Sequence, residues 1–277
     1  MAVLAIASNI LAPPSGAGLD TRPAPLPRPE VARLTALGFD AFLGDMYWVG
    51  ALQYFGGQAH RPECYEQLKD YLNLTAALAP DFWGTYRMAG VAVPCNDGKG
   101  WHHVGDAAAL LRKGIDRFPE NWFLRFLLAY DLTLVQQFRE ASAELALAAR
   151  VAGAPEFYAG LATRLMVKAG DLDAAQEMAE SLLGSASDEQ LRRTLETRVR
   201  EIEAHRNLRA LESAVATFKA QTGRWPSGLS ELVEASLLAR IPEPTLAKEW
   251  KYDGAKGTVR PLVPLPQVAP HVDARAP

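Results

Sequence analysis

Cysteine is scarce: Cys64 and Cys95 are the only two in 277 residues. That excludes the disulfide framework of a small secreted domain, and the absence of short paired spacings excludes a structural zinc knuckle. Two unpaired thiols, one of them a small core residue, are the favoured reading. The other is a single disulfide in an oxidising compartment, since adjacent antiparallel helices can bring such positions together.

An excess of positive charge is also missing. Lys and Arg number 29 against 32 Asp and Glu, a net charge of −3, and the basic residues are scattered rather than gathered into a stripe. Nucleic acid is therefore not an expected partner. No run approaches the ~20 apolar residues of a membrane span. The opening MAVLAIASNILA is apolar but has no Lys or Arg before it, so it fits neither a secretory signal nor a span. It reads either as the remnant of a signal or anchor that begins upstream, giving membrane association through this segment, or as an apolar arm packed on the folded part.

Catalytic signatures are absent as well. There is no Gly-rich phosphate loop, no HExxH pair and no nucleophile elbow. Carboxylates such as Glu189, Glu196, Glu201 and Glu203 share their helix with Arg at solvated positions. An enzyme, a cofactor and a small-molecule substrate are not expected. The stretch PCNDGKGWHH collects Cys95, Asp97, His102 and His103, residue types that ligate metals. No pair among them stands at i, i+4 on a helix and the adjacent histidines point apart, so a hydrophilic loop between glycines is expected, with no metal.

What is present is a large apolar fraction, 49%, enough for a substantial core, and it is organised by repetition. Trp122 to Pro155 reads as two apolar-periodic runs with Ala129, Ala141 and Ala148 where two helices would cross closely. The same register returns in the unit from Glu156, with Gly170-Asp171 at its turn and Ala175 in place. It holds backwards through Ala89-Gly90, Ala107, Leu111, Gly114 and Pro119, with five extra residues between those two helices, and again in the stretch that closes at Pro80. A helix-turn-helix of 34 residues with small residues at these places resembles the tetratricopeptide repeat.

The resemblance implies a mostly α fold, an α-solenoid of antiparallel helix pairs. Residues 1–29 then form an apolar segment and a Pro-rich linker, and residues 30–187 the repeats, the front of which, Glu30 to Phe55, caps the solenoid. It also implies a groove lined by the first helix of each unit. By the family's pattern this gives Arg87 and Val91, then Phe123, Phe126, Tyr130 and Thr133, then Phe157, Arg164 and Val167. Aromatic anchors flanked by two arginines suit an extended or helical protein segment bearing an apolar side chain and a carboxylate. The competing reading makes Phe126 and Phe157 core, covered by the long C-terminal helix.

After Ser187 the pattern changes. From Asp188 to about Thr222, Leu191, Leu195, Val199, Ile202, Leu208, Leu211, Val215 and Phe218 read as one stripe. At this length the helix either breaks near residues 205–207 or bridges two modules. Next come Phe218-Lys219, Gly223-Arg224-Trp225-Pro226, Leu229, Leu232-Val233, Ile241-Pro242, Trp250, Tyr252, Asp253, Gly254 and Gly257. This ordered set is similar to the C-terminal region of the type II secretion major pseudopilin and of type IV pilins. Two departures stand out: the apolar assembly helix of that family is replaced by a charged one, and Glu243-Pro244-Thr245-Leu246 replaces its Asp-Pro turn, so calcium is not implied there. Residues 188–260 are thus expected to hold the long helix and a small α+β cap, and 261–277 a Pro-rich tail.

The expected function is a non-enzymatic protein–protein interaction scaffold, an accessory component of a bacterial envelope assembly of secretion or pilus type. Its expected place is periplasmic or membrane-associated, with the cytoplasm as the alternative. The alternative role is a structural subunit permanently integrated in a larger membrane-associated complex.

Overall fold

The structure of the protein, a computed structural model, describes residues 25–57, 64–186, 188–246 and 249–265. The apolar segment 1–12, most of the linker and most of the tail lie outside the described residues. Among the described residues the chain is mostly helical, with eleven helices and two small antiparallel hairpins. It forms two compact units, residues 1–154 and 155–277.

The first unit opens with α1 (Pro29–Ala36), started by a proline whose missing N–H costs nothing at a helix N-terminus. Leu37 and Gly38 then turn left-handed (φ 51 and 90) and end it. α2 (Asp40–Gly57) and α3 (Leu68–Leu78) follow, then α4 (Trp83–Ala92), α5 (Val104–Arg117), α6 (Trp122–Leu134) and α7 (Phe138–Ala148). α2 packs on α3, α4 on α5 and α6 on α7. These pairs touch in turn through α3 with α4, α5 with α6 and α4 with α6. Leucines at helical spacing supply the core: Leu68 and Leu72, Leu110 and Leu111, Leu124, Leu128 and Leu132, and Leu145 are all buried. Each is worth roughly 1.5–3 kcal/mol of transfer free energy.

The stretch expected to be a loop is a hairpin. β1 (Cys95–Asn96) pairs antiparallel with β2 (Trp101–His102). Asp97 closes its turn by accepting from the backbone N–H of Lys99 (2.8 Å) and Gly100 (3.1 Å). The reading of two unpaired thiols is corrected here, because Cys64 and Cys95 are joined in a disulfide with their Cα atoms 5.7 Å apart. Beside it, the start of α5 is tied to the start of α3 and the segment before it. His103 Nε2 lies 3.3 Å from Glu66 Oε2, and Lys69 Nζ donates to Asp106 Oδ2 at 3.0 Å. The insert is thus held against the chain that carries Cys64.

The second unit holds α8 (Phe157–Lys168), α9 (Leu172–Ser185), α10 (Glu189–Thr222), α11 (Ser230–Glu234) and the hairpin β3 (Trp250–Asp253) with β4 (Thr258–Pro261). Asp171 caps α9 by accepting from Ala174 N, and Asp188 caps α10 by accepting from Gln190 N and Leu191 N. Gly223, at φ 77, ends α10.

α10 runs its 34 residues without a break, yet its apolar positions are not one stripe. Leu195 and Ile202 are buried on the side that packs with α8 and α9, where Ile202 joins Met166, Val167, Leu172, Ala175 and Ala179. Leu211, Val215 and Phe218 instead cluster with Leu232 and Val259 of the cap. Ile202 and Leu211 are nine residues apart, and at about 100° per residue they point to opposite sides of the helix. The change of face falls where a break was one of the two expectations; the helix carries through it.

In the cap, Tyr252 Oη donates to Pro226 O (2.8 Å) and Trp250 Nε1 to Pro242 O (2.8 Å), which tie the hairpin to the turns before and after α11. Gly257 sits at φ 63 under the Trp225 ring, where a Cβ would come within 2.2 Å of a ring carbon. Lys219 Nζ lies 3.7 Å from the centre of that same ring.

Candidate functional site

The first unit carries an aromatic-lined opening. α4 and α6 run side by side because Gly90 lets them close up. A Cβ there would press to 3.1 Å on both Leu111 and Leu127. Asn121 caps α6 by accepting from Phe123 N at 3.1 Å. That fixes the start of the helix and with it the directions of Trp122 and Phe123.

Trp83 at the start of α4 and Trp122 and Phe123 at the start of α6 flank an open cavity of about 620 Å³, completed by Arg117, Phe118, Pro119, Glu120 and Asn121. Ring contacts hold the walls. Phe82 meets Trp48 edge-on at 5.0 Å, Tyr86 meets Phe118 at 6.2 Å, and Phe123 stacks on Phe126 at 6.0 Å between centroids. The Arg87 guanidinium covers the Trp83 ring at 5.1 Å, and Arg117 is paired with Asp81.

Six of the nine residues read from the sequence fall in this unit. Arg87, Val91 and Tyr130 are exposed; Phe123, Phe126 and Thr133 are half-buried. On α6 the four stand three, seven and ten residues on from Phe123, on one face of the helix. The Thr133 hydroxyl donates to the Tyr130 carbonyl at 2.7 Å. Only Phe123 among the six also lines the cavity. Trp83, Phe118 and Trp122 were missed, although a signal was there: Trp83 and Trp122 both stand at the first place of a repeat.

Three of the nine fall in the second unit. Phe157 is 64% exposed and rests edge-on against Tyr158 at 4.8 Å. α10 packs on α8 and α9 and leaves Phe157 open. Burial of Arg198 lowers its pKa, and the exposed Arg164, a like charge nearby, lowers it further. Arg198 is itself buried and paired with Glu201 at 2.7 Å. Val167 is buried in the cluster around Ile202 and offers no surface.

One buried group is chemically out of place. Asp131, on α6 between Tyr130 and Leu132, is fully buried, and neither carboxylate oxygen has a hydrogen-bond partner. Burial pushes its carboxyl up to about 8, so at neutral pH the folded protein holds it as the uncharged acid.

The residues with metal-ligating chemistry are engaged elsewhere. Cys95 is in the disulfide, His102 pairs with Asp97 at 3.1 Å, and His103 lies between Asp106 and Glu66. Among the described residues no group of three His, Cys, Asp or Glu is arranged to hold a metal ion, and no helix is long and apolar enough to cross a membrane. Comparison with protein-family models, with curated proteins and with solved structures finds no match to this chain.

Proposed function

We propose that the protein is a non-enzymatic scaffold that docks another protein on the α4–α6 face. The helix pairs act as a short solenoid of tetratricopeptide type, and the C-terminal segment as a pilin-like cap. The observation that carries the reading is the aromatic surface itself. Trp83, Trp122, Phe123 and Tyr130 lie open to solvent or half-buried on adjacent helices, with Arg87 among them. Aromatic side chains and arginine concentrate binding energy in interfaces, and here they suit an extended or helical segment bearing an apolar side chain and a carboxylate. The succession of pairwise contacts from α2 to α7 supports the solenoid reading. The returning hairpin bonded to Pro226 supports the likeness of the cap.

The disulfide supports a place of work in an oxidising compartment, since such bonds persist in periplasm and envelope and are rare in the cytosol. An accessory role in an envelope assembly of secretion or pilus type follows from that compartment together with the cap. The test is capture from the native host with a C-terminal tag and quantitative mass spectrometry, alongside Trp83→Ala and Tyr130→Ala. Partners that fall away with both substitutions while the thermal transition is kept support the reading. Partners retained in undiminished amount refute docking on this face.

A further inference from the structure

Just past the first hairpin, one imidazole faces a carboxylate at each of its ring nitrogens. His103 caps α5 in a left-handed conformation (φ 59), with its side chain only 15% exposed. Its Nδ1 lies 3.0 Å from Asp106 Oδ2 and its Nε2 3.3 Å from Glu66 Oε2. A neutral imidazole has a single N–H, so it can donate to one of these carboxylates and must turn a lone pair toward the other. The imidazolium donates to both.

The charged groups that face the ring come from three elements. The segment before α3 gives Glu66 and α5 gives Asp106. α3 gives Asp70 and Lys69, whose Nζ is 3.4 Å from Nδ1 and 3.0 Å from Asp106 Oδ2. In the hairpin, His102 is paired with Asp97. The Lys69 ammonium is pushed up, most of all by its hydrogen bond to Asp106. Against burial, which acts the other way, hydrogen bonds from Lys69 and His103 hold the Asp106 carboxyl down. Both groups therefore stay charged between about pH 5 and 8, where imidazoles change charge.

We propose that His103 is a proton-operated latch, which as the imidazolium ties the front of α5 to the segment before α3 and on losing its proton lets Glu66 go. Glu66 is the partner given up because its contact is the longer and its side chain, 71% exposed, is hydrated at little cost. Asp106 stands three residues on and keeps the remaining N–H. Farther along, Lys69 with Asp106 and Lys113 with Asn73 still join α3 to α5. The change is thus confined to the end that carries the hairpin. The disulfide stays closed in both states, so acidity sets how often this end opens and not whether it is tethered.

Hydrogen exchange of the oxidised full chain, read by mass spectrometry at pH 5, 6, 7 and 8 and corrected for free-peptide rates, tests this. Protection of residues 95–107 is expected to fall several-fold from pH 5 to pH 8. Glu66→Gln can pair with the ring in either state and should flatten the profile. His103→Asn, a residue that accepts left-handed backbone, should flatten it too, and His102→Asn should leave the fall in place. Asp131 titrates alike in all four chains, so the comparison removes its share. A flat profile in the natural chain overturns the proposal. So does a fall that persists in Glu66→Gln, or one that vanishes with His102→Asn, which assigns it to the His102–Asp97 pair. Should His103→Asn unfold, Glu66→Gln alone decides, since it alters an exposed side chain only.

Discussion

Replacing Asp131 by Asn removes a titration and almost nothing else. The carboxyl has an ordinary value near 3.8 and is pushed up to about 8 by burial among the leucines of α6. Below pH 3.8 both folded and unfolded chains hold the proton, and this residue lends the stability no pH dependence. Between about pH 4 and 8 the unfolded chain has released it while the folded chain keeps it. The unfolded state then binds fewer protons, so stability falls as pH rises. Above about 8 both are ionised and the loss is complete.

Each unit of displacement is worth about 1.36 kcal/mol, so from pH 5 to pH 8 the natural protein should lose about 4 kcal/mol from this residue alone. Asn has the same shape, keeps a buried amide and cannot ionise. The difference in unfolding free energy between variant and natural chain should therefore be small at pH 5 and favour the variant by about 4 kcal/mol more at pH 8. Urea denaturation without reductant at four pH values measures it, and subtraction cancels every group titrating equally in both chains. Hydrogen exchange of the α6 peptide locates the effect in the first unit. A difference that stays constant across this range would refute the reasoning and mean that water or a neighbour satisfies the carboxylate.

The disulfide closes a separation of 31 residues, for which chain entropy gives about 3–4 kcal/mol. Cys64→Ser should lower the unfolding free energy by that amount and the urea midpoint in proportion, reductant should bring the natural chain to the same value, and an unmoved midpoint would contradict it. Gly257→Ala sets a methyl against the Trp225 ring at a left-handed backbone position. It should cost the cap about 2–4 kcal/mol, seen as earlier exposure of Trp225 in fluorescence-monitored unfolding; an unchanged transition would show that the turn relaxes freely.

The helices of both units were legible because their signals are local. Leucines at helical spacing, Asn121, Asp171 and Asp188 at N-termini and Gly223 at a C-terminus each act within a few residues. Gly90, one of the small residues at fixed places, meets Leu111 of the following helix. What depends on distant partners was not legible. The 95–102 hairpin has two residues per strand, too few for a period, and His103 and Asp106 just after it are held by Glu66 and Lys69. Cys64 and Cys95 meet beside those contacts. The cavity escaped because the groove pattern begins at the second place of each first helix, as at Phe123, whereas Trp83 and Trp122 stand at the first. Phase was lost on α10 because counting apolar residues at roughly helical intervals does not notice one interval of six, from Ile202 to Leu208.

That interval gives α10 the character of a keyed shaft. Its N-terminal half is gripped on one side by α8 and α9, its C-terminal half on the other by the cap, and the rod between sets the angle at which the cap is held. One residue inserted between Ala204 and Leu208 would turn the cap by about 100° and move it only about 1.5 Å. Seven inserted residues would advance it by about 10 Å and bring it back to within roughly 20° of its present angle. Length and orientation are therefore set separately along this helix, and a change of one residue alters the direction in which the cap faces far more than its distance.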